Sequence, residues 1–275
     1  MKTVFLSIAG KNRKKAALQM AWKYHIISLS KKFLRRYFPL NRLAMMVLKN
    51  LHRIPGVYGK LCRYAKTPDQ YTEEEMYGHF QYVLGLAIKA GNVTVEVHGR
   101  ENIPTKGGFM LCSNHQGLFD VLAIACNCDM PISAVYKKEL KDIPLIKEIA
   151  SCTHAFAMDR EDVRQSMTVI QNVAKEFEKG RNYLIFPEGT RSKKGNEMME
   201  FHHGTFKCVV KAKCPILPIA VIDSYKVLDQ KGSAPVTMQI HFLPPIPYEE
   251  YAGMKTAEIA ALAQSRIRET IEANT

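Results

Sequence analysis

The first quarter of the chain has no acidic residue. Lysine and arginine number 39 against 26 aspartates and glutamates, and no acidic residue comes before Asp69. Residues 1–68 therefore carry 16 basic residues alone, while the remainder carries 23 basic and 26 acidic residues and is close to neutral. A segment with charge of one sign indicates an anionic partner, either nucleic acid or a phospholipid surface.

Other absences narrow the class of protein further. No run reaches the 18 or more apolar residues of a membrane-spanning helix, and residues 4–9 are too short for the core of a signal peptide. The seven cysteines are an odd number and several lie in apolar runs, which indicates buried thiols in a reducing compartment. Cys126 and Cys128 are too close together for the usual zinc pair, so no metal site is predicted. We expect a protein of the cytoplasm, bound to a membrane if not free.

The basic segment does contain large apolar residues at helical spacing, in two groups on either side of Pro39. The first group is Leu18, Trp22, Ile26, Leu29, Phe33 and Phe38, and the second is Leu43, Met46, Val47 and Leu51. Basic residues combined with bulky apolar ones predict two amphipathic helices that lie in a lipid interface, because a nucleic-acid arm needs no such residues. The alternative is a helical hairpin that packs its apolar stripe on the rest of the protein.

Strands and helices alternate along the rest of the chain. Thr72 and Glu75 form a capping box that begins a helix, and Gly91 ends it. The predicted strands cover residues 93–97, 109–112, 132–136, 153–158, 183–186, 216–221 and 236–242, with helices beginning near residues 118, 143, 163, 205 and 256. This order predicts an α/β domain with a mostly parallel central sheet flanked by helices. The chain is thus expected to divide into a basic helical segment, 1–68, and an α/β domain, 69–275.

His115 and Asp120 follow the apolar strand that ends at Cys112. A five-residue offset within one helix would place the two side chains about 140° apart, so they meet only if the chain turns between them. Gly117 supplies a turn, which puts His115 at the carboxyl edge of the sheet and Asp120 in the first turn of the next helix. Ligands bind at that edge in open α/β sheets, and a histidine oriented by a carboxylate is a general base suited to neutral pH. A structural role for the pair is the alternative.

No nucleophile of the protein accompanies this histidine. There is no Gly-x-Ser-x-Gly elbow, and Ser113 is the only hydroxyl close by in the sequence. The pair therefore indicates activation of a hydroxyl that the substrate brings, and hence transfer to an alcohol without a covalent enzyme intermediate. Cys112 or Cys208 as a nucleophile is the less favoured alternative, because their apolar surroundings would raise a thiol pKa.

Cations follow three other predicted strands. Arg191 lies in the run Pro187-Glu188-Gly189-Thr190-Arg191, Arg160 follows the strand at 153–158, and Lys137 follows the strand at 132–136. Arginine presents a planar fork suited to phosphate, and glycine allows close approach of the backbone. Any one of these residues is more simply explained as a cap or a surface ion pair. Together with His115 they indicate a site for an alcohol that carries a phosphate.

Four blocks in this order resemble the glycerolipid acyltransferases, specifically the 1-acyl-glycerol-3-phosphate acyltransferases of the bacterial PlsC type. The blocks are residues 114–120, with His-x-x-x-x-Asp, then 157–160, 186–192, with Phe-Pro-Glu-Gly-Thr-Arg-Ser, and 214–219. The resemblance covers about residues 93–221. The chain departs from the family where Cys214 replaces the usual Val and where residues 156–158 are less branched than usual before Asp-Arg.

The resemblance implies a role for each block. His115 and Asp120 would form the catalytic dyad, with Asp120 fixing the tautomer of the imidazole. The residues implied to bind the acceptor are Glu188, Gly189, Thr190 and Arg191, together with Arg160 and Lys137. Pro215 and Pro218 would shape the region of the acyl donor, and neither a metal nor a resident cofactor is implied.

The expected reaction moves a fatty acyl group from acyl-CoA or acyl-carrier protein to the free hydroxyl of lysophosphatidic acid, giving phosphatidic acid. The expected location is the cytoplasmic face of the cell membrane, held peripherally or monotopically on the phospholipid surface, with no nucleic acid as partner. Two alternatives remain: the same chemistry on another lysophospholipid or an amino-lipid, and a non-catalytic protein that binds membranes or nucleic acid.

Overall fold

The computed structural model of the protein describes residues 41–275. The first predicted amphipathic helix, at residues 18–38, lies outside this range. The described part begins with three helices, α1 (Arg42–Asn50), α2 (Ile54–Lys66) and α3 (Glu73–Ala90). The strands are β1 (Val93–His98), β2 (Met110–Ser113), β3 (Ile132–Lys137), β4 (Phe156–Met158), β5 (Asn182–Ile185), β6 (Ile216–Ile222) and β7 (Val236–Phe242).

The remaining helices connect the strands or follow them. They are α4 (Asp120–Asn127), α5 (Ile146–Cys152), α6 (Val163–Glu178), α7 (Lys207–Ala212), α8 (Tyr225–Leu228), α9 (Tyr248–Tyr251) and α10 (Thr256–Asn274). Short 3₁₀ turns cover Pro68–Gln70, Arg100–Asn102, Lys138–Leu140 and His203–Phe206.

The seven strands of the described range form one sheet in the order β1-β7-β6-β2-β5-β3-β4. The run from β6 to β4 is parallel throughout, and β7 pairs antiparallel with β6 and parallel with β1. The prediction of a mostly parallel sheet flanked by helices is therefore confirmed. Because β2 through β6 point the same way, the chain leaves all five at one edge of the sheet.

Apolar runs decide which strands are central. Every residue of β2, β5 and β6 is buried, as a strand covered by helices on both faces requires. Strand β1 is the outermost strand on one side of the sheet, and its residues alternate between more and less buried, with Thr94, Glu96 and His98 exposed. Two apolar clusters fill the two faces of the sheet, one against α6 and α10 and the other against α3 and α4.

One of the two hydrogen bonds of the capping box predicted for α3 is present: the backbone N–H of Glu75 donates to Thr72 Oγ1 over 3.1 Å. Helix α2 contains two glycines, which disfavour a helix, and it forms because tertiary contacts stabilise it. Leu61 and Tyr64 are buried in it, and Tyr64 donates its hydroxyl to Glu75 Oε1 over 2.9 Å. Packing against α3 and α5 thus offsets the low helix propensity of Gly56 and Gly59.

Helix α1 contacts the body of the domain through its cations. Arg42 is buried and donates to the carbonyl oxygens of Val227 and Gly91, at 2.7 and 2.9 Å. Lys49 Nζ donates to the carbonyl of Ala90 over 2.9 Å. In the described part of the basic segment, some of the positive charge therefore binds backbone carbonyls rather than an external partner. The predicted boundary at residue 68 stays a prediction.

The helices between residues 41 and 275 include none that combines the length and the apolar character needed to cross a bilayer.

Candidate active site

The site lies at the edge of the sheet where β6, β2 and β5 end side by side. His115 is on the loop between β2 and α4, two residues beyond Ser113. Asn114 fixes the start of this loop, because its side chain exchanges two hydrogen bonds with the backbone of Val221 on β6, at 2.8 and 2.9 Å. The loop therefore begins from a rigid position between two central strands.

His115 and Asp120 are in direct contact. His115 Nδ1 lies 2.7 Å from Asp120 Oδ2, and Asp120 is completely buried while 15% of the His115 side chain is exposed. An ionised carboxylate only accepts hydrogen bonds, so Nδ1 carries the proton and Nε2 is the ring nitrogen left for a substrate. The Phe186 ring stacks on the imidazole at a centroid distance of 4.1 Å and limits its rotation.

Both oxygens of the Asp120 carboxylate have donors. Oδ2 also accepts the backbone N–H groups of Gln116 and Gly117, at 2.7 and 3.0 Å, and Oδ1 accepts the hydroxyl of Ser224. A buried charge is stable only when it is hydrogen-bonded in this way, and its place in the first turn of α4 adds a favourable helix dipole. Asp120 therefore fixes the loop that carries His115 as well as the imidazole itself.

Ser224 is absent from the predicted site residues. It follows β6, which is the other strand adjacent to β2, and it is completely buried. The one signal in the sequence is a pair of polar residues, Asp223 and Ser224, directly after an apolar strand. That signal is the same type that drew attention to His115, but the position of β6 beside β2 is needed to interpret it.

Glu188 binds the backbone of the histidine loop. Its Oε1 accepts the N–H of His115 over 2.9 Å, and its Oε2 accepts the N–H of Met199 over 3.2 Å. The residue is only 1% exposed. Burial raises the pKa of Glu188 to about 7, although the two N–H donors act in the opposite direction. The acceptor-binding role predicted for Glu188 stays a prediction, and the contacts seen here are with the protein itself.

The loop after β5 holds the His115 backbone from both directions. While Glu188 accepts the N–H of His115, the N–H of Ser192 donates to the carbonyl of His115 over 2.9 Å. Gly189 has φ of +70°, and a Cβ there would lie 3.1 Å from Cδ2 of His202. Glycine therefore allows the reversal that brings both ends of this loop back to His115. Thr190, at the exposed tip of the loop, precedes Arg191.

The predicted cations do not all lie beside His115. Arg191 follows β5, the neighbour of β2, and its Nη1 lies 2.5 Å from Asp229 Oδ1. Lys137, the last residue of β3, and Arg160, two residues after β4, are exposed and lie two and three strands away from β2. At a strand spacing of about 4.8 Å these exits are roughly 10 and 14 Å from that of β2. Lys137 Nζ also lies 2.8 Å from Glu139 Oε1.

Pro218 belongs to β6, and Pro215 directly precedes that strand. The carbonyl of Pro215 accepts the N–H of Met110 over 3.0 Å, and Pro218 is buried in β6 opposite Cys112 of β2. The antiparallel pairing of β6 with β7 begins at Ile219, and the carbonyl of Pro218 still accepts the N–H of Leu243 over 2.9 Å, so the missing N–H of Pro218 removes only the reciprocal bond at the end of that ladder. Their proposed contact with the acyl donor stays a prediction.

The two cysteines considered as nucleophiles are unsuited to that role. Cys112 and Cys208 are both buried. Burial raises the pKa of Cys112 well above its usual value and that of Cys208 to about 12. A nucleophilic cysteine needs a thiolate near neutral pH, which this environment disfavours. Within residues 41–275, no three His, Cys, Asp or Glu side chains are grouped as metal ligands.

Comparison with known proteins finds similarity to acyltransferases. A family model described as Acyltransferase matches residues 94–222. The 1-acyl-sn-glycerol-3-phosphate acyltransferase of Salmonella typhimurium is 26% identical over 193 residues, which are 70% of this chain and 78% of that protein. The protein of the same name from Escherichia coli is 26% identical over 197 residues, covering 71% and 77% of the two chains.

Relatives extend beyond bacteria, and one has a solved structure. The 1-acyl-sn-glycerol-3-phosphate acyltransferase alpha of Ovis aries is 29% identical over 197 residues, or 70% of this chain and 64% of that protein. The crystal structure of the 1-acyl-sn-glycerophosphate (LPA) acyltransferase PlsC from Thermotoga maritima superposes with a TM-score of 0.68. That match covers 84% of this chain and 95% of the other at 19% identity, so the two proteins share a fold.

The raised pKa of Glu188 predicts a dependence of stability on pH. From the ordinary value of 4.5 to about 7, the native state keeps a proton on Glu188 that the unfolded chain has lost. The associated stabilisation is present below the unfolded pKa and is lost as pH rises through the folded one. Between pH 5 and 8 we expect the unfolding free energy of the wild type to fall by about 2 kcal/mol relative to Glu188→Gln. Urea unfolding at several pH values measures this difference.

The matched control is Glu197→Gln, which removes an exposed glutamate nine residues away. It should keep a constant difference from the wild type over the same pH range. A constant difference for Glu188→Gln as well would contradict the raised pKa.

Removal of the Ser224 hydroxyl should destabilise the fold. Ser224→Ala leaves Asp120 Oδ1 without its hydroxyl donor in a fully buried position. We expect a loss of about 1–3 kcal/mol in the free energy of unfolding. The control Ser113→Ala removes an equally buried hydroxyl that bonds only to the neighbouring Asn114 carbonyl, at 3.0 Å, and should cost less. Equal losses for the two variants, measured by urea unfolding, would show that Asp120 does not depend on Ser224.

Proposed function

The chain belongs to the acyltransferase family that includes the 1-acyl-sn-glycerol-3-phosphate acyltransferases, and on that premise we propose that His115 and Asp120 catalyse acylation of lysophosphatidic acid. The acyl group would come from a thioester, acyl-CoA or acyl-carrier protein, and the product is phosphatidic acid. The observation that carries this proposal is the contact between the partly exposed His115 and the buried Asp120, held at the sheet edge by the loop that presents Arg191.

The proposed chemistry uses His115 as a general base and then as an acid. Its Nε2 takes the proton of the sn-2 hydroxyl as that oxygen attacks the thioester carbonyl, and the ester C–O bond forms. The tetrahedral intermediate then breaks its C–S bond, and the leaving thiolate takes the proton from the imidazolium. Asp120 stabilises the imidazolium through Nδ1, at 2.7 Å, and needs no proton itself. The thioester is the only co-substrate in this scheme.

Of the three predicted cations, Arg191 is the best placed to bind the phosphate of the acceptor. The phosphate and the free hydroxyl of lysophosphatidic acid are on adjacent carbons, so the phosphate has to bind close to His115. Arg191 follows the strand next to β2, whereas Lys137 and Arg160 follow more distant strands. A guanidinium also offers two parallel N–H donors to a phosphate. In this proposal Lys137 and Arg160 have a secondary role, at the outer side of the site.

Loss of the base tests the proposed chemistry. His115→Ala should lower thiol release from acyl-CoA or acyl-carrier protein in the presence of lysophosphatidic acid by about 10²- to 10⁴-fold. His203→Ala, at an exposed histidine, is the control and should keep wild-type turnover. Circular dichroism should show both variants folded. Wild-type turnover in a folded His115→Ala protein would contradict the assignment of the base.

Comparing substrates in the same assay narrows the reaction. The two thioesters, run side by side, identify the donor. Monoacylglycerol and other lysophospholipids, run against lysophosphatidic acid, identify the acceptor, and a preference for a phosphate-free acceptor would contradict the assignment of lysophosphatidic acid.

We also propose that the protein works on the cytoplasmic face of a membrane, with residues 1–68 as the contact. The described part of this segment supports the proposal with four exposed apolar residues at the end of α1 and the start of α2. They are Val47, Leu48, Leu51 and Ile54, which are between 38% and 58% exposed. The exposed Arg53 lies among them, and basic and apolar residues together suit an anionic lipid interface. All seven cysteines are free, in keeping with a reducing compartment.

Deletion of residues 1–66 would be a poor test of this contact, because it also removes buried Leu61 and Tyr64. The double substitution Leu48→Ser and Leu51→Ser changes only exposed positions. We expect at least about tenfold weaker binding to phosphatidylcholine vesicles with 30% phosphatidylglycerol (roughly one lipid in three), measured by flotation. The control is Met254→Ser, at a residue 39% exposed outside this segment.

Two results would contradict the membrane contact. One is undiminished flotation of the double variant. The other is retention by nucleic acid, at moderate salt, of a protein that does not float with vesicles.

A further inference from the structure

Arg191, the proposed phosphate ligand, already binds an anion of the protein. Its Nη1 lies 2.5 Å from Oδ1 of Asp229, and the two side chains are 28% and 31% exposed. The other oxygen of Asp229, Oδ2, accepts the backbone N–H of Leu118 over 3.3 Å. One carboxylate therefore bridges a guanidinium on the loop after β5 and an N–H on the loop after β2.

The backbone fixes where this carboxylate lies. Asp229 ends α8, and its N–H donates to the carbonyl of Tyr225 over 3.1 Å. A Cβ on Gly117 would come within 2.8 Å of Asp229 Oδ2. Glycine at position 117 thus leaves room for the carboxylate on the histidine loop, two residues after His115. Asp229 was not expected from the sequence, because it follows β6 while Arg191 follows β5, and only the order of the strands brings the two together.

A guanidinium and a backbone N–H that converge on one point form a typical site for phosphate. Here the point is beside the residue that would deprotonate the hydroxyl of the acceptor. That hydroxyl and the phosphate are on adjacent carbons, so the phosphate has to bind close to His115, and the Asp229 carboxylate is bound to Leu118 on the loop that carries His115. The two anions cannot share Arg191 at this point, because their charges repel.

Exchange between the two anions is physically reasonable. An ion pair that is nearly one-third exposed is weakly held, so a competing anion replaces it at small cost. A phosphate monoester near neutral pH carries more charge than a carboxylate and has three acceptor oxygens. An acceptor without a phosphate has no group to displace Asp229 and would meet a site with Arg191 already neutralised.

From this geometry, and on the premise of the proposed function, we infer that Asp229 is a specificity-determining residue whose carboxylate occupies the phosphate position on Arg191 until a phosphate-bearing acceptor displaces it. Asp229 lowers the affinity for every phosphate acceptor, and it disfavours acceptors that lack the phosphate. It takes no part in the bond-making steps.

The variant Asp229→Asn in the full chain tests this inference. The KM for lysophosphatidic acid should fall by about three- to tenfold with kcat within about twofold of the wild type, because the competing charge is gone while the shape is kept. Inorganic phosphate is a second probe. It should raise the thermal midpoint of Asp229→Asn at lower concentrations than it does for the wild type.

Two control variants separate this effect from a general change in charge. Asp129→Asn removes one negative charge from the ion pair of Arg100 and Asp129, whose side chains are 51% and 59% exposed near the opposite edge of the sheet. It should leave both readouts unchanged. Glu139→Gln releases Lys137 in the same way that Asp229→Asn releases Arg191. A fall in KM for Glu139→Gln, and none for Asp229→Asn, would place the phosphate at Lys137 and overturn the inference.

The remaining outcomes are also decisive. A higher KM in a folded Asp229→Asn protein would mean that the carboxylate positions Arg191 for the substrate, and an unchanged KM and phosphate response would mean that it does not compete. Either result overturns the inference while the proposed function stands. If the wild type does not acylate lysophosphatidic acid but Asp229→Asn responds to less phosphate, the proposed function fails and the anion exchange on Arg191 is supported.

Discussion

The buried carboxylate of Asp120 is the constraint on which the site depends. A charge removed from water has to be surrounded by donors, and here the donors are His115 Nδ1, two backbone N–H groups of the loop and the hydroxyl of Ser224. Meeting that requirement sets three things at once. The tautomer of the imidazole, the path of residues 115–119 and the contact of Ser224, after β6, with Asp120 all follow from it.

A second buried carboxylate, that of Glu188, also holds the histidine loop, from the loop after β5. It accepts the N–H of His115, while the N–H of Ser192 donates to the carbonyl of His115. The loop after β5 therefore binds both backbone polar groups of this residue. His115 is thereby held between two neighbouring strands. Its side chain is free only to the extent that Phe186 and Asp120 allow. Pre-organisation of this type lowers the cost of reaching the transition state.

The same loop presents Arg191, which in the proposed function would link catalysis to recognition of the acceptor. A shift of the loop after β5 would move the proposed base and the proposed phosphate ligand together, because His115 is bound to this loop and Arg191 is part of it. Asp229 adds a contribution from the segment after β6, so the segments that follow three neighbouring strands, β6, β2 and β5, meet at the Arg191–Asp229 ion pair. The cations in the described part of the basic segment also differ in their contacts: Arg42 and Lys49 bind backbone carbonyls of the domain, while Arg53 is exposed.

The sequence by itself determined what depends on neighbours along the chain. Buried strands appear as apolar runs, the start of α3 follows from Thr72, and His115 and Asp120 are only five residues apart, so one turn suffices to join them. The tertiary structure decided everything that depends on the order of the strands. Because β5 and β6 flank β2, Glu188, Ser224 and Asp229 reach the histidine loop from positions 73 to 114 residues after His115, whereas Lys137 and Arg160 lie farther along the edge. That order results from the packing of helices on both faces of the sheet, which no local pattern of residues encodes.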